Sequence, residues 1–218
     1  MNGLIGRKLG MAQIFDDAGV SIQVTLMEAG PCYVTQLKSP DKDGYQAVQL
    51  GFDEVKTKRL TSGQRGHLKA NELPNLSVLR ELRFKGDVNY SAGDKVTVAQ
   101  AFKNGDLVDV VGISKGRGFQ GAIKRHGFHG GPVTHGQSDR RRAPGSIGAG
   151  TTPGRVPKGT RMSGRMGNQR VTAQHLLVAL VDDARNLLAI RGAVPGPTGA
   201  VVFVRVARKQ KNSEAGKE

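Results

Sequence analysis

Several residue types are rare in this chain, and each shortage excludes a class of protein. Cys32 is the single cysteine among 218 residues, so the chain can form no internal disulfide bond. It lies between Pro31 and Tyr33 at the start of an expected strand, which predicts a buried, reduced thiol and a reducing compartment. No apolar run reaches the length of a membrane-spanning helix, and no signal-peptide core follows Met1. We therefore expect a soluble, cytoplasmic protein.

Aromatic residues are also scarce, because tryptophan is absent and the aromatic share is 5%. This composition disfavours a broad base-stacking platform of the kind that single-strand-binding proteins use. The hydrophobic share of 37% is below the globular average, and the shortage lies mainly in one segment. The rest of the chain contains enough Val, Ile, Leu and Phe for a core.

Acidic residues are nearly missing from residues 114–170, which we call the basic insert. Its 57 residues include 12 Lys/Arg, 14 Gly and one acid, Asp139, so it carries +11 of the chain's net charge of +15. A segment this charged and glycine-rich buries too little apolar surface to offset its own ordering entropy. Its cations repel one another unless a counter-charge is present. We expect a polyanion, nucleic acid above all, to order it.

The cations are spread along the basic insert, and arginine outnumbers lysine nine to three. Arginine suits bidentate phosphate contacts, and glycine lets the backbone approach RNA closely. Phosphate contact and shape should therefore dominate recognition. The predicted contacts in the insert are Lys115, Arg117, Lys124, Arg125, His126, His129, His135, Arg140, Arg141, Arg142, Arg155, Lys158, Arg161, Arg165 and Arg170. Secondary contacts are expected at Arg7, Lys8 and the basic cluster of residues 56–69.

Outside the insert the chain has the pattern of short strands. Apolar residues alternate with polar ones over residues 20–26, as in a half-buried strand. Turn signals predict hairpins at residues 11–26, 32–52 and 174–191, a helix near 62–71, and strands at 78–84, 95–99, 107–113 and 201–206. The pattern predicts a mainly β, mostly antiparallel barrel or sandwich, with the strands on either side of the insert in one sheet.

Two motifs in the insert resemble nucleotide- or RNA-binding signatures. Residues 116–121 match GxGxxG, but the helix and parallel strand that should follow are prevented by Gly127, Gly130, Gly131 and Pro132. Residues 117–119 begin like the RNP1 motif, which Gln120 and Gly121 then interrupt. Neither motif is complete.

The three insert histidines do not form a metal-binding pattern. Tetrahedral zinc needs a fourth ligand, Cys32 is remote, and Asp139 is the only nearby acid. A dication would also be repelled by the surrounding cations. Ser146 lacks the GxSxG spacing of a nucleophile, and no acid pair or nucleophile–base set is visible. We predict no catalytic residue, no metal and no cofactor.

Ordered motifs along most of the chain carry a family resemblance. They are GLIGRKLGM at 3–11, IF at 14–15, DVVGISKGRGFQG at 109–121, THG at 134–136, PGSIG at 144–148, TPGRV at 152–156, KG at 158–159, MG at 166–167, RVT at 170–172, RNLL at 185–188 and GAVPG at 192–196. The chain resembles the universal large-subunit ribosomal protein three family, bacterial type, from Met1 to about Lys209.

The resemblance implies a translation-protein-type antiparallel β-barrel with a small α+β insertion and a long basic extended loop. The barrel is expected at residues 1–55, 95–113 and 171–208, the insertion at 56–94 and the rRNA-penetrating loop at 114–170. A disordered tail is expected at 209–218, where the sequence is charged.

The resemblance also implies direct binding to 23S rRNA, a part in early subunit assembly, and contacts with neighbouring large-subunit proteins. It places the loop tip near the peptidyl transferase centre, at Gly148, Ala149, Gly150, Thr151, Thr152 and Pro153. Some bacterial members have glutamine at the positions of Ala149 and Thr151, one of which is methylated, so that modification is expected to be absent here. Those members also have a tryptophan where this chain has His126.

We therefore predict a structural rRNA-binding protein in the ribosome rather than an enzyme, with no membrane and no small-molecule substrate. Two alternatives remain open. A general DNA- or nucleoid-binding protein would bind duplex DNA and rRNA fragments with equal affinity. A nucleotide-dependent enzyme would use residues 116–121.

Overall fold

The computed structural model describes residues 3–16, 18–83 and 90–208. The chain divides into two compact units, one formed by Met1–Ile113 with Arg170–Glu218 and the other by Ser114–Gln169. The tail predicted at residues 209–218 lies outside the described residues, as does the last residue of the strand predicted at 78–84.

Twelve strands and four short helices make up the described chain. The strands are β1 (Gly3–Phe15), β2 (Ser21–Ala29), β3 (Cys32–Lys38), β4 (Ala47–Glu54), β5 (Leu76–Arg83), β6 (Lys95–Val96), β7 (Leu107–Ile113), β8 (Phe119–Gln120), β9 (Gly164–Arg165), β10 (Arg170–Asp182), β11 (Leu187–Arg191) and β12 (Val201–Val206). The helices are α1 (Pro40–Asp43), α2 (Ser62–Lys69), α3 (Val98–Ala101) and α4 (Ala122–His126), with a 3-10 turn at Thr57–Arg59.

Six strands of the first unit form a closed barrel in the order β1-β12-β7-β10-β11-β2. Every neighbouring pair is antiparallel, and β2 pairs with β1 to close the ring. The prediction of a mainly β, antiparallel fold is confirmed, and the sandwich alternative is excluded because the sheet closes on itself. β7 and β10 pair directly, so the strands on either side of the basic insert do belong to one sheet.

A second sheet in the same unit has the order β5-β4-β3-β6. Residues 1–55 are expected in the barrel, but β3 and β4 use their backbone groups to pair with each other and with β5 and β6. The second sheet therefore begins before the insertion expected at 56–94. Buried side chains of both sheets share one hydrophobic core, among them Leu4, Ile5, Leu50 and Phe52.

Local capping decides where two helices begin. Gln64 N donates to Thr61 Oγ1 at 3.4 Å and Thr61 N to Gln64 Oε1 at 3.1 Å, which starts α2 where a helix was predicted. The strand predicted at 95–99 is wrong beyond Val96. There Thr97 N donates to Gln100 Oε1 at 3.1 Å, and this contact begins α3 instead.

Cys32 is fully buried at the start of β3, and its thiol donates a hydrogen bond to Ile5 O at 3.4 Å. Burial raises the pKa of the thiol to about 12, from an ordinary value of 9.0. At pH 8 about one molecule in 10,000 would then carry the thiolate. We expect iodoacetamide to leave the folded protein unmodified and to label Cys32 in urea, as measured by intact mass. Rapid labelling of the folded protein would contradict this burial.

The same pKa predicts an alkaline loss of stability. Since the thiol is held neutral in the folded state, its contribution is complete below pH 9 and is lost as the pH rises to about 12. Tyrosines titrate over the same range in any variant. The Cys32 contribution is therefore the difference between the wild type and Cys32→Ala in urea unfolding at pH 8 and pH 11. An equal loss of stability in both proteins would contradict it.

Candidate nucleic-acid interface

The second unit begins and ends in a short antiparallel ladder, which we call the stem (residues 114–120 and 164–169). Ser114 N donates to Gln169 O at 2.9 Å, and Asn168 N donates to Ser114 O at 3.1 Å. Further along, Arg117 N and Met166 O join at 2.9 Å, and β8 then pairs with β9. These backbone hydrogen bonds hold the first and last residues of the insert side by side.

α4 follows the first strand of the stem, and two of its side chains contact the backbone at Met162, shortly before the second strand of the stem. Arg125 Nη1 donates to Met162 O at 2.8 Å, and His126 Nε2 lies 3.0 Å from the same oxygen. A carbonyl only accepts, so His126 must carry its proton on Nε2. The sequence predicted both side chains as RNA contacts. The structure places them half-buried, where they also support the insert itself.

An open cleft of roughly 700 Å³ lies beyond α4. Its lining includes His126, Phe128, His129, Arg140 and Arg161. The cleft is therefore bordered by two arginines and two histidines that the sequence predicted as RNA contacts.

Backbone contacts hold two segments near this cleft together. Gly131 N donates to Arg141 O at 2.8 Å. A Cβ at Gly130 would lie 2.5 Å from that oxygen, so the approach requires glycine. Gly130 thus has a structural reason to be glycine, in addition to the access to RNA predicted for the glycines of the insert.

The charge of the basic insert is displayed and uncompensated. Within Ser114–Gln169, all of which is described, only Ala122 is buried. Eleven of the twelve predicted cations are exposed, the exception being the half-buried Arg125. Every ion pair found among the described residues lies in the first unit. The described residues thus give the cations of the insert no ion-pair partner.

The remaining predicted insert residues are also exposed. His129 and His135 are exposed, as are all six residues predicted at the loop tip, Gly148 to Pro153. Just before the tip, Ser146 Oγ donates to Gly148 O at 2.9 Å, which forms a local turn. Over the described ranges, no three His, Cys, Asp or Glu side chains lie close enough together to hold a metal ion.

Arg7 and Lys8 have partners within the first unit. Arg7 Nη2 lies 2.6 Å from Asp53 Oδ2, and Lys8 Nζ donates to Val194 O at 2.8 Å and to Gly196 O at 3.1 Å. The sequence predicted both side chains as phosphate contacts and did not reveal these distant partners. We do not include either residue in the interface proposed below.

The basic cluster at residues 56–69 is only partly available. Its lysines and arginines are exposed, whereas His67 Nε2 lies 2.8 Å from Gln49 Oε1 and is half-buried.

No helix in the described part of the chain combines the length and the apolar character needed to cross a membrane.

Gly167→Ala is expected to disrupt the stem. Gly167 has φ +73°, and a Cβ there would collide with Lys115 O and approach Gly116 Cα to 3.0 Å. These are backbone atoms, so one strand of the stem must move, and the cost should exceed about 1 kcal/mol. We expect faster hydrogen exchange at the amides of Arg117 and Met166, measured by NMR or mass spectrometry.

Gly121→Ala is the matched control. Gly121 has φ −70°, and a Cβ there would meet nothing within 4 Å. Its stem amides should exchange as in the wild type. If the stem amides of the Gly167→Ala variant exchange as slowly as those of the wild type, the close approach of Gly167 to Lys115 O is not required for the stem to form.

Sequence comparison identifies the relatives of this chain. The family model described as ribosomal protein L3 matches residues 87–186. Proteins named large ribosomal subunit protein uL3 match nearly the whole chain. That of Herpetosiphon aurantiacus is 54% identical over 209 residues (96% of this chain, 98% of the relative), and that of Roseiflexus sp. is 57% identical over 210 residues (96% and 99%). With this identity over almost its full length, the chain belongs to the ribosomal protein L3 family.

Proposed function

We propose that this chain is a structural component of the large ribosomal subunit that binds 23S rRNA directly through its basic insert. One observation carries the proposal: the insert exposes eleven cations, takes part in no ion pair among the described residues, and buries one side chain. Such a unit gains stability from a polyanion and has little core of its own. The names of its relatives indicate which polyanion.

The insert would act by neutralising phosphates within folded RNA. Arginine can hold a phosphate with two parallel hydrogen bonds, and the paired stem holds the two ends of the insert together. The proposed contacts are Lys115, Arg117, Lys124, Arg140, Arg141, Arg142, Arg155, Lys158, Arg161, Arg165 and Arg170, together with Arg125 and the three histidines of the insert. The exposed cations of residues 56–69 would add secondary contacts from the first unit.

The exposed tip at Gly148 to Pro153 would lie near the peptidyl transferase centre and support the rRNA there without performing chemistry. The same RNA contacts would favour an early part in subunit assembly, since a cationic insert can join RNA segments before the RNA is compact. Contacts with neighbouring large-subunit proteins would be made by the first unit. The function is positional, so we assign no catalytic residue.

Two measurements test the proposal. Tagged protein expressed in a bacterium should co-sediment with the large ribosomal subunit and stay bound through a high-salt wash. The affinity of the purified protein for a 23S rRNA transcript should fall linearly on a log–log plot against salt, with a slope of roughly −0.7 to −0.9 for each phosphate contacted. A slope near zero would contradict the proposal. Equal affinity for duplex DNA of the same length would favour the general DNA-binding alternative.

A further inference from the structure

Phe119 is the most exposed large apolar side chain among the described residues, with 76% of its surface accessible. It lies on β8 in the stem, inside the incomplete RNP1-like motif at residues 117–119. The only other aromatic ring of the second unit besides histidine is Phe128, which is half-buried with its centroid 6.0 Å from that of His126. Phe119 therefore takes no part in the small core of the insert.

The two faces of the β8–β9 ladder differ. Phe119 and Arg165 are direct cross-strand partners, so their side chains share one face. Gln120 and Gly164 face the other way, where a Cβ at Gly164 would meet Arg125 Nη1 at 2.7 Å. One face is thus covered by the Arg125 guanidinium from α4. The opposite face presents an aromatic ring beside an exposed arginine.

The backbone beneath Phe119 is already ordered. Arg117 N donates to Met166 O at 2.9 Å, and Met166 N donates to Gly118 O at 2.9 Å, directly before β8. The backbone that carries the ring therefore loses little further freedom when a flat group stacks on it. Pre-ordering of this kind favours binding at low entropic cost.

We propose that Phe119 and Arg165 form a stacking site for one unpaired RNA base. The base lies on the Phe119 ring, and the Arg165 guanidinium contacts the phosphate next to it. An apolar protein pocket would require Arg165 to lose water without gaining a counter-charge, whereas RNA supplies the flat base and the anion together. This single site is narrower than the broad platform that the composition disfavours. The proposed site rests on the proposed RNA binding, and it adds to the phosphate contacts a base stack on Phe119 whose strength does not depend on salt.

Phe119→Trp tests the site directly. The wild-type chain has no tryptophan, so the variant carries a single fluorophore. Binding to a 23S rRNA transcript should quench its emission strongly and leave the affinity equal to or above that of the wild type. Phe15→Trp is the matched control, because Phe15 is 69% exposed on a strand of the other unit. Equal quenching of the two variants would overturn the site.

Two further variants separate stacking from apolar bulk. Phe119→Ala should bind the transcript about 5- to 150-fold more weakly, which is the range measured for removing one base–aromatic stack. The loss should be the same factor at every salt concentration, because no phosphate contact is removed. Phe119→Leu keeps the apolar volume and removes the ring face, so it should bind as weakly as the alanine variant. Wild-type affinity in the leucine variant would overturn stacking.

The outcomes also separate this inference from the proposal on which it rests. If the wild type binds the transcript with a steep salt slope and Phe119→Ala binds equally well, RNA binding stands and the stacking site is overturned. If the wild type does not bind the transcript at all, both are overturned.

Discussion

Replacing Arg140, Arg141 and Arg142 together by alanine is expected to weaken binding to 23S rRNA by about 100- to 500-fold at roughly 0.1 M salt. The magnitude follows from counterion release, in which each phosphate contact contributes about 0.7 to 0.9 to the logarithmic salt slope. All three side chains are exposed, and no ion pair holds them among the described residues. The salt slope should therefore become shallower by about 2 to 3. Filter binding over a range of salt concentrations measures both quantities.

The same substitutions should leave the first unit intact. Exposed side chains without partners usually change the free energy of unfolding by no more than about 0.5 kcal/mol. The backbone bonds of this segment, such as Gly131 N to Arg141 O, do not depend on the side chains. The thermal transition of the barrel should stay where it is, and incorporation into the large subunit should fall. A matching loss of barrel stability would contradict this division between the two units.

A charge-matched variant makes the result specific. Arg80, Arg185 and Arg191 are exposed arginines of the first unit, and replacing all three by alanine removes the same net charge. If the insert is the interface, this variant should lose much less affinity and keep nearly the whole salt slope. Equal losses in the two triple variants would mean that net charge alone governs binding.

Asp109→Ala is expected to destabilise the barrel by about 3 kcal/mol. The Asp109 side chain is 3% exposed, and Arg205 Nη2 on the neighbouring strand donates to its Oδ2 at 3.4 Å. On the other side, the amide of His175 donates to Asp109 Oδ1 at 3.3 Å, at the bulge where β10 loses register with β7. Removing one partner of a buried pair costs about 3 to 5 kcal/mol. Arg205 is 24% exposed and can reach water, so we expect the lower end of that range.

The Asp109 result should also change the β10 bulge. His175 holds φ +56°, which is unfavourable for a side chain larger than glycine, and the Asp109 carboxylate is the partner of its amide. Urea unfolding measures the loss of stability, and hydrogen exchange at the His175 amide should rise in the variant. Arg185→Ala is the control, since that guanidinium is 77% exposed and pairs with Asp182 only at 3.9 Å. Its effect should be below about 0.5 kcal/mol. Similar losses in the two variants would contradict a special role for Asp109.

Most patterns that involve neighbours in sequence were interpreted correctly. The alternation over residues 20–26 became β2, the turn-flanked segments became antiparallel hairpins, and the helix expected near 62–71 formed as α2. Each of these depends on contacts over a few residues, which a single sequence displays. The strand predicted through residue 99 was wrong beyond Val96, although its cause is also local. Gln100 accepts a hydrogen bond from Thr97 N and begins a helix there, which the alternation of residue types does not reveal.

Contacts between residues far apart in sequence were not visible. Nothing near Arg7 or Lys8 in the sequence indicates their partners, because Asp53 comes from β4 of the second sheet and Val194 and Gly196 from the segment between β11 and β12. Asp109 and Arg205 meet because β7 and β12 are neighbours in the ring. The Phe119 and Arg165 pair likewise exists only because the insert returns along its own stem.

The sequence by itself determined the charge of the basic insert, its glycine content, the antiparallel β character of the rest and the family resemblance. Composition and local periodicity suffice for these properties, because net charge and strand alternation do not depend on which strands pair. The family resemblance implied a β-barrel, but only the tertiary structure decided which six strands close it and in what order, that β3 and β4 belong to a second sheet, and which cations stay exposed. Pairing between distant segments sets which face of a strand is buried and which cation has an internal partner. For this reason the exposed lysines and arginines of the insert, and not Arg7 or Lys8, form the proposed interface.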